Sequence, residues 1–320
     1  MSLSDRLTAV EMAKRNGYTP DQRRIIEAMQ VTNQILLDAP VKEANDRTVE
    51  TNVVRTALPH AEHRTYYQGV GSKASQTKRI QDVVCQLAVY SEVDKSLVDN
   101  AADPGQTLND ECASFLYGMG EDQADDIIYG NHETSPANIN GFAVRRPKIH
   151  EKYCIDMGGK GNNLTSVYLI KWGADSAYYL FPKGAKGMGV QRTDKGVVTV
   201  TNADGTKYEA YRNYFQADYG ITVKQEGALI RLANIDPLKT DATEIIKMLF
   251  KSKRNLCPGA GTIAVYSNSE ILGMFDEAAL DKNNVVYTAE DPWGNEITKL
   301  RDMRLRQVDA ILSTESAVTA

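Results

Sequence analysis

The residue types that could do chemistry are sparse in this sequence of 320 residues. His60 and His63 have the spacing of metal ligands, but the sequence around them supplies no third His or Cys. The glycine-rich stretches 158–163 and 258–262 do not match the phosphate-binding pattern G-x-x-x-x-G-K-[ST] and are typical of turns. The motifs G-x-S-x-G and H-E-x-x-H do not occur. The sequence therefore predicts no catalytic residue, no metal and no cofactor.

The cysteines are Cys85, Cys112, Cys154 and Cys257. They are scattered and form no C-x-x-C pair, so the sequence indicates neither a disulfide framework nor a zinc site. We interpret all of them as ordinary thiols.

The composition is that of a globular chain with 42% hydrophobic and 25% charged residues, enough for one large or two ordinary domains. The net charge is -5, and no stretch concentrates Lys and Arg, so we expect any DNA contact to be loose and non-specific. The start lacks the apolar run of a signal peptide, and no stretch approaches the ~20 apolar residues of a membrane span. We expect a soluble intracellular protein with no membrane partner.

The strongest helix signal covers residues 104–131. Thr107 followed by Asp110 predicts an N-terminal cap, and Gly130 predicts the end of the helix. Gly118 and Gly120 interrupt the pattern, and each costs a helix about 1 kcal/mol relative to alanine. We therefore expect another segment to pack closely against the helix at these glycines.

An unusually long alternation of apolar and polar residues covers 208–236. This period of two predicts a strand much longer than average, which suits a flat structural plate better than a compact catalytic core. The apolar residues change from odd to even positions after Gly227, which predicts a β-bulge at Gln225–Ala228. We expect Val223 and Ile230 to face the same core.

The other predicted elements do not alternate regularly between strand and helix. Helices are predicted at 3–15, 21–38 and 240–252; strands are predicted at 47–56, 64–68, 165–172, 176–181 and 305–312; a strand followed by a helix covers 261–280; and a hairpin turn is predicted at Asp204–Gly205. The first two strands form a long polar excursion around Pro59. This mixture predicts an α+β fold rather than a doubly wound sheet.

The order of these elements, together with several local stretches, resembles one protein family. The stretches are VVRTALP (53–59), QGVGSKASQT (68–77), YSEVDKSLVD (90–99), IIYGN (127–131), LIKWG with YLFPKG (169–184), YGITVKQEGALIRLANID (219–236) and RQVDAILSTESAV (306–318). They are similar to stretches of the major capsid proteins of tailed double-stranded DNA bacteriophages, of the podophage type, and they occur in the same order along nearly the whole chain. The resemblance implies the capsid fold first described for a Hong Kong phage.

The resemblance also implies a division of the chain. The N-terminal arm would be 1–44 and the extended loop 45–80; the peripheral domain would be 81–149, 206–236 and 301–320, with its spine helix at 106–129; the axial domain would be 150–205 and 237–300. The implied function is self-assembly, as hexamers and pentamers, into the icosahedral head that encloses the packaged genome. Assembly would take place in the cytoplasm of the bacterial host.

The implied partners are a portal, a scaffolding protein supplied as a separate chain, a decoration protein in some relatives, and packaged DNA in non-specific contact. Some relatives form a Lys–Asn crosslink, which we cannot match to a site here. Two alternatives remain: the shell protein of a non-viral, encapsulin-like compartment, and a soluble enzyme that binds a phosphorylated ligand through its Gly/Lys loops. Gel filtration separates the shells from the enzyme by size.

The polar excursion predicts where neighbouring subunits meet. Its polar residues are too many for the core of a self-contained hairpin, and a lone two-stranded hairpin is marginal in water. We therefore expect it to lie across an adjacent subunit. The candidate contacts are Arg47, Arg55, Arg64, Gln68, Lys73 and Lys78 on the excursion and Glu121, Asp122, Asp125 and Asp126 on the neighbour's long helix.

Overall fold

A computed structural model of the chain describes residue 29 and residues 32–57, 59–185, 190–280, 287–290 and 296–319, with only the backbone at 55–57, 279–280, 287–290 and 296–298. The helix predicted at 3–15, and most of the helix predicted at 21–38, lie outside these residues.

The described part of the chain mixes helices and strands, which confirms the α+β class. The helices are α1 (Ile35–Asp38), α2 (Lys95–Asp99), α3 (Pro104–Tyr129), α4 (Phe142–Arg145), α5 (Ala242–Lys253) and α6 (Ser269–Leu280). The strands are β1 (Val41–Glu43), β2 (Val49–Ala57), β3 (Gln76–Val83), β4 (Cys85–Asp94), β5 (Cys154–Asp156), β6 (Thr165–Trp172), β7 (Ala177–Phe181), β8 (Val190–Thr201), β9 (Lys207–Val223), β10 (Leu229–Ile235), β11 (Thr262–Ser267), β12 (Tyr287–Glu290), β13 (Glu296–Leu300) and β14 (Met303–Gln307).

Strand β6 lies at the centre of the larger sheet. It pairs antiparallel with β10 on one side and with β11 on the other, and β14 continues the sheet parallel to β11. Because side chains alternate along a strand, Tyr168 and Trp172 enter one core while Val167 and Leu169 enter a second core. Apolar residues of α3 contribute to the first core, and those of α5 and α6 contribute to the second.

Strand β9 is 17 residues long and joins two parts of the sheet. Its first part lies between β4 and β8, and both pairings are antiparallel. Its last residues pair with β7, which lies next to β6. Phe215 and Tyr219 point from β9 into the core that α3 covers. The long alternation in the sequence therefore reflects a strand that spans two parts of the sheet.

The predicted long helix is confirmed as α3, but its cap is a different residue. The Asp103 carboxylate accepts a hydrogen bond from the Gln106 N–H at 3.0 Å. Thr107, the predicted cap, instead donates its hydroxyl hydrogen to the Asp103 carbonyl at 3.0 Å. The helix ends at Tyr129, and Gly130 caps its C-terminus as predicted.

The close packing predicted at the two helix glycines is confirmed at Gly120 and wrong at Gly118. A Cβ at position 120 would lie 2.1 Å from Thr32 Oγ1 and 3.1 Å from the Met29 carbonyl oxygen, so the segment before α1 packs directly on the helix. A Cβ at position 118 would meet no described atom within 4 Å.

The predicted break in strand geometry at Gln225–Ala228 is confirmed, but the β-bulge and the shared core expected for Val223 and Ile230 are wrong. The chain leaves β9, forms a 3-10 turn at Glu226–Ala228 and enters β10 beside β6, so Val223 faces the first core and Ile230 the second. Gly227 is required by close packing, because a Cβ there would lie 3.0 Å from the Cys257 nitrogen.

The strand predicted at 64–68 is also wrong, because this stretch contains a turn. The partner of β2 is β3, in antiparallel register from Val49 opposite Val83 onward. The alternation in RTYYQ arises in an exposed connection and not in a ladder. The strands predicted at 165–172 and 176–181, the helix predicted at 240–252 and the hairpin turn at Asp204–Gly205 are confirmed.

The division into arm, extended loop, peripheral domain and axial domain stays a prediction. Strands β10 and β14, which we assign to the peripheral domain, are hydrogen-bonded to β6 and β11, which we assign to the axial domain.

Candidate assembly surfaces

The hairpin of β2 and β3 is the least buried part of the described chain. Residues 59–79 are all exposed, and the two strands form a separate two-stranded ladder. Such a ladder contributes little stability alone, because it lacks a third strand or a helix to cover either face. The hairpin therefore presents side chains that the rest of the subunit does not cover.

Buried polar contacts fix the base of the hairpin to the body. The Asp82 carboxylate accepts a hydrogen bond from Arg145 at 2.7 Å and another from the Thr222 hydroxyl. From the opposite strand, Asn52 Nδ2 donates a hydrogen bond to Thr222 Oγ1 at 3.1 Å. Because Asp82 and Asn52 are buried, breaking these bonds would leave unpaired polar groups away from water. The body thus holds the base of the hairpin in one orientation.

The tip of the hairpin presents two aromatic side chains. Tyr66 is 92% exposed and Tyr67 is 107% exposed, and Tyr67 has a left-handed backbone with φ 67°. A left-handed φ is costly for a bulky residue. The adjoining turn is closed by Gln68, whose side-chain oxygen accepts hydrogen bonds from the N–H and hydroxyl of Thr65.

The predicted basic contacts lie on both strands and at the tip. Arg47, Arg64 and Lys78 are exposed, Lys73 forms an ion pair with Glu62 within the tip, and the side chain of Arg55 lies outside the described residues. Among the residues that the structure describes, no salt bridge joins any of them to the acidic residues of α3.

The predicted acidic residues all lie on the second half of α3. Glu121, Asp122 and Asp125 are exposed, whereas Asp126 is half-buried. Asp126 accepts hydrogen bonds from the Tyr219 hydroxyl at 2.5 Å and from Asn138 Nδ2 at 3.0 Å. Asp126 is therefore engaged inside its own subunit, and the other three carboxylates form an exposed acidic face.

Crowding affects the protonation of this face. Partial burial, followed by the negative charges of Asp122, Asp126 and Glu121, raises the pKa of Asp125. Burial also raises the pKa of Asp126, although the hydrogen bond from Tyr219 opposes this shift. A cation brought close to the exposed carboxylates would relieve their mutual repulsion.

We expect Asp125→Asn to raise the melting temperature of dilute, unassembled subunits at pH 7 by about 1–2 °C. A carboxyl group with a raised folded-state pKa binds its proton more tightly when folded, so its ionised form destabilises the fold above that pKa. The penalty disappears as the pH falls towards the ordinary value of about 4, so the gain should vanish there.

Differential scanning fluorimetry at both pH values measures this effect. Asp276→Asn on α6 changes the net charge equally and serves as the control. A gain of the same size at pH 4, or an equal gain from the control, would contradict the prediction.

All four cysteines are buried and free. Burial is the main cause that raises the pKa of Cys85 to about 12, so its thiol stays protonated at neutral pH. Within the described ranges, no three His, Cys, Asp or Glu side chains converge as metal ligands. The same ranges contain no helix that is long and apolar enough to cross a bilayer.

Sequence reasoning missed the aromatic tip and the buried ion pairs of Asp38 and Glu315. Asp38, near the start of the described chain, binds Arg304 and Arg306 on β14, and Glu315, near its end, binds Arg231 on β10. The adjacent tyrosines in a polar stretch were a readable signal for an exposed contact. The ion pairs join residues far apart in sequence, so no local pattern identifies them.

These features define a structural subunit: a sheet with helices and a core on each of its faces, an exposed hairpin and charged outer surfaces. The family model described as "Major capsid protein GP7" matches residues 18–319, and the chain belongs to this family. A search of curated proteins found no match to the sequence.

One solved structure supports this assignment, and two others show weaker similarity. A chain in the structure of bacteriophage Epsilon15 is 26% identical, with 88% of each chain covered and a TM-score of 0.68. The capsid of bacteriophage JBD30 is 10% identical, with 87% of this chain and 91% of that chain covered and a TM-score of 0.48. The SrpI encapsulin of Synechococcus elongatus is 10% identical, with 73% of this chain and 96% of that chain covered and a TM-score of 0.45.

The predicted family, capsid fold and function are therefore confirmed. The chain is a structural protein of the phage head, and its copies associate to form the shell. The family assignment and the similarity to the Epsilon15 chain favour the phage capsid over the non-viral compartment.

Proposed function

We propose that the β2–β3 hairpin connects neighbouring subunits of the shell by lying across the long helix of an adjacent copy. The observation that carries this proposal is the exposure of the whole stretch 59–79 in a hairpin whose base is fixed by buried polar contacts. A projection that is fixed at its base and uncovered along its length suits contact with a second molecule.

Charge supports the same arrangement. Arg64 and Lys78 are exposed on the hairpin, Arg47 is exposed just before β2, and Glu121, Asp122 and Asp125 are exposed on α3. An exposed ion pair contributes only about 0–1 kcal/mol, but a closed shell repeats every contact in each copy. Many weak contacts of this kind make assembly cooperative. Asp126 takes no part, because it is bound within its own subunit.

The test is to replace Ala57–Ser72 with a short Gly/Ser turn. The isolated subunit should remain folded, because the buried contacts at the base are unchanged, and it should fail to form closed shells. Sedimentation and negative-stain imaging measure assembly, and circular dichroism measures folding. Shortening the exposed β8–β9 turn at Asp204–Gly205 is the matched control and should leave assembly intact. Shells of normal size and heat stability from the first variant would contradict the proposal.

The remaining partners belong to the same proposal. We propose assembly as hexamers and pentamers in the cytoplasm of the bacterial host, with a portal and a scaffolding protein. The packaged double-stranded DNA would contact the shell loosely, because the net charge of -5 gives no general attraction to phosphate. Binding assays at two salt concentrations would test the DNA contact, and tight, sequence-dependent binding would contradict it.

A further inference from the structure

Gly118 has no structural role inside the described subunit. Glycine weakens a helix interior, and at Gly120 the close approach of Thr32 and Met29 accounts for it. At Gly118 no described atom comes within 4 Å of the place where a Cβ would stand. The two positions are about 200° apart around the helix, so the segment that covers Gly120 lies on a different face.

Gly118 lies in a shallow groove on the outside of α3. Val89, Phe115 and Met119 supply apolar surface beside it, and the carboxylates of Glu111 and Asp122 stand at its rim. The missing side chain leaves room for a flat group from outside. The groove therefore combines an apolar centre with negative charge at the edge.

The hairpin tip complements the groove, because it presents aromatic rings beside a positive charge. Tyr66 and Tyr67 are almost fully exposed and Tyr67 adopts a strained left-handed backbone. Arg64 precedes them and makes no ion pair within the part of the chain that the structure describes. Exposed aromatic rings next to an unpaired arginine are typical of residues that anchor a protein interface.

We propose that the tyrosine tip of one subunit inserts into the Gly118 groove of a second copy of this chain. The rings lie against Phe115 and Met119 over the glycine, and Arg64 faces Glu111 and Asp122 at the rim. This inference rests on the proposed hairpin contact and specifies where the tip binds. It explains both the glycine and the left-handed tyrosine, neither of which is explained by the described residues of one subunit.

Engineered cysteines test the contact directly. Subunits carrying Tyr66→Cys and subunits carrying Gly118→Cys are assembled together with an excess of wild-type subunits, so that the shell tolerates both changes. Mild oxidation should then link the two kinds of subunit into a covalent dimer, seen by non-reducing electrophoresis. The native cysteines do not interfere, because all of them are buried. Replacing Gly118→Cys by Gly273→Cys, at an open glycine on α6, should give at least tenfold less dimer.

Groove filling gives an independent measurement. Gly118→Gln should leave the isolated subunit at least as heat-stable as wild type, because a Cβ there meets no described atom within 4 Å and glutamine favours helix. It should reduce the yield of closed shells at least tenfold. Gly273→Gln makes the same change in α6 and should leave shell yield unchanged.

The outcomes separate this inference from the broader proposal. If the loop replacement abolishes shells but neither the crosslink nor the effect of Gly118→Gln is found, the hairpin binds elsewhere and this inference is wrong. Loss of heat stability in isolated Gly118→Gln subunits would show that the subunit's own chain fills the groove, and would also overturn it. If the loop replacement still forms normal shells, both proposals fail together.

Discussion

Asp38→Ala is expected to destabilise the isolated subunit by about 3–5 kcal/mol, because it leaves two arginines without their counter-ion. The Asp38 side chain is fully buried and accepts hydrogen bonds from Arg304 Nη1 at 2.5 Å and from Arg306 Nε at 2.8 Å. Only 9% of the Arg304 side chain and 17% of the Arg306 side chain are exposed, so water cannot fully replace the carboxylate. Urea denaturation followed by circular dichroism measures the loss.

The matched control is Asp302→Ala, which removes the partner of Lys253. That pair is solvated, with 30% and 56% of the two side chains exposed, so its loss should cost at most about 1 kcal/mol. If Asp38→Ala and Asp302→Ala lowered the free energy of unfolding equally, burial of the Asp38 ion pairs would not determine the loss of stability. Adding Arg304→Met and Arg306→Met to Asp38→Ala should recover much of the stability, because no buried charge then remains unpaired.

Gly130→Ala is expected to cost about 3 kcal/mol and to loosen the end of α3. The new Cβ would lie 2.3 Å from the Asp126 carbonyl oxygen and 2.8 Å from the Ile139 carbonyl oxygen. Both are backbone atoms, so no side-chain rotation relieves the contact. The hydrogen bond from the Gly141 N–H to the Gly130 carbonyl, at 2.8 Å, would be strained as the chain moves apart.

Gly273→Ala is the control for this variant, because it adds the same methyl group to an open helix position. It should stabilise the subunit by about 0.5–1 kcal/mol. The difference between the urea concentrations at which the Gly130→Ala and Gly273→Ala variants are half unfolded measures the cost of the steric clash at Gly130. A midpoint for Gly130→Ala at or above that of wild type would contradict the expected contact.

Local sequence patterns predicted the presence of helices and strands better than they predicted how these elements pack in the fold. The apolar periodicity and Gly130 located α3, but the cap fell on Asp103 because an aspartate and a threonine are both competent caps. The change of parity at Gly227 correctly located a break. Parity cannot distinguish a bulge within one strand from a turn into a different part of the sheet, and the chain takes the turn.

The hairpin illustrates the same limit for the candidate site. We inferred that the hairpin needs a partner from its excess of polar residues. The alternation of residue types wrongly predicted its second strand at 64–68, where Tyr66 and Tyr67 lie in an exposed turn. The acidic residues of α3 were predicted as a set. Only the fold separates Asp126, which binds Tyr219, from the three carboxylates that are exposed. That separation depends on β9, which is far from α3 in sequence.

The ion pairs of Asp38 and Glu315 affect how fast a newly made subunit becomes able to assemble. Asp38 binds Arg306, 268 residues away, and Glu315 binds Ser166 and Arg231, 149 and 84 residues away. Contacts between such distant segments slow folding, because the chain must close large loops before it gains the contact energy. Until residues 306 and 315 have been synthesised and docked, strands β6, β10 and β14 cannot reach their final surroundings. Newly made chains therefore spend time with apolar strands uncovered, and the rate of shell production should depend on protection from aggregation as much as on subunit concentration.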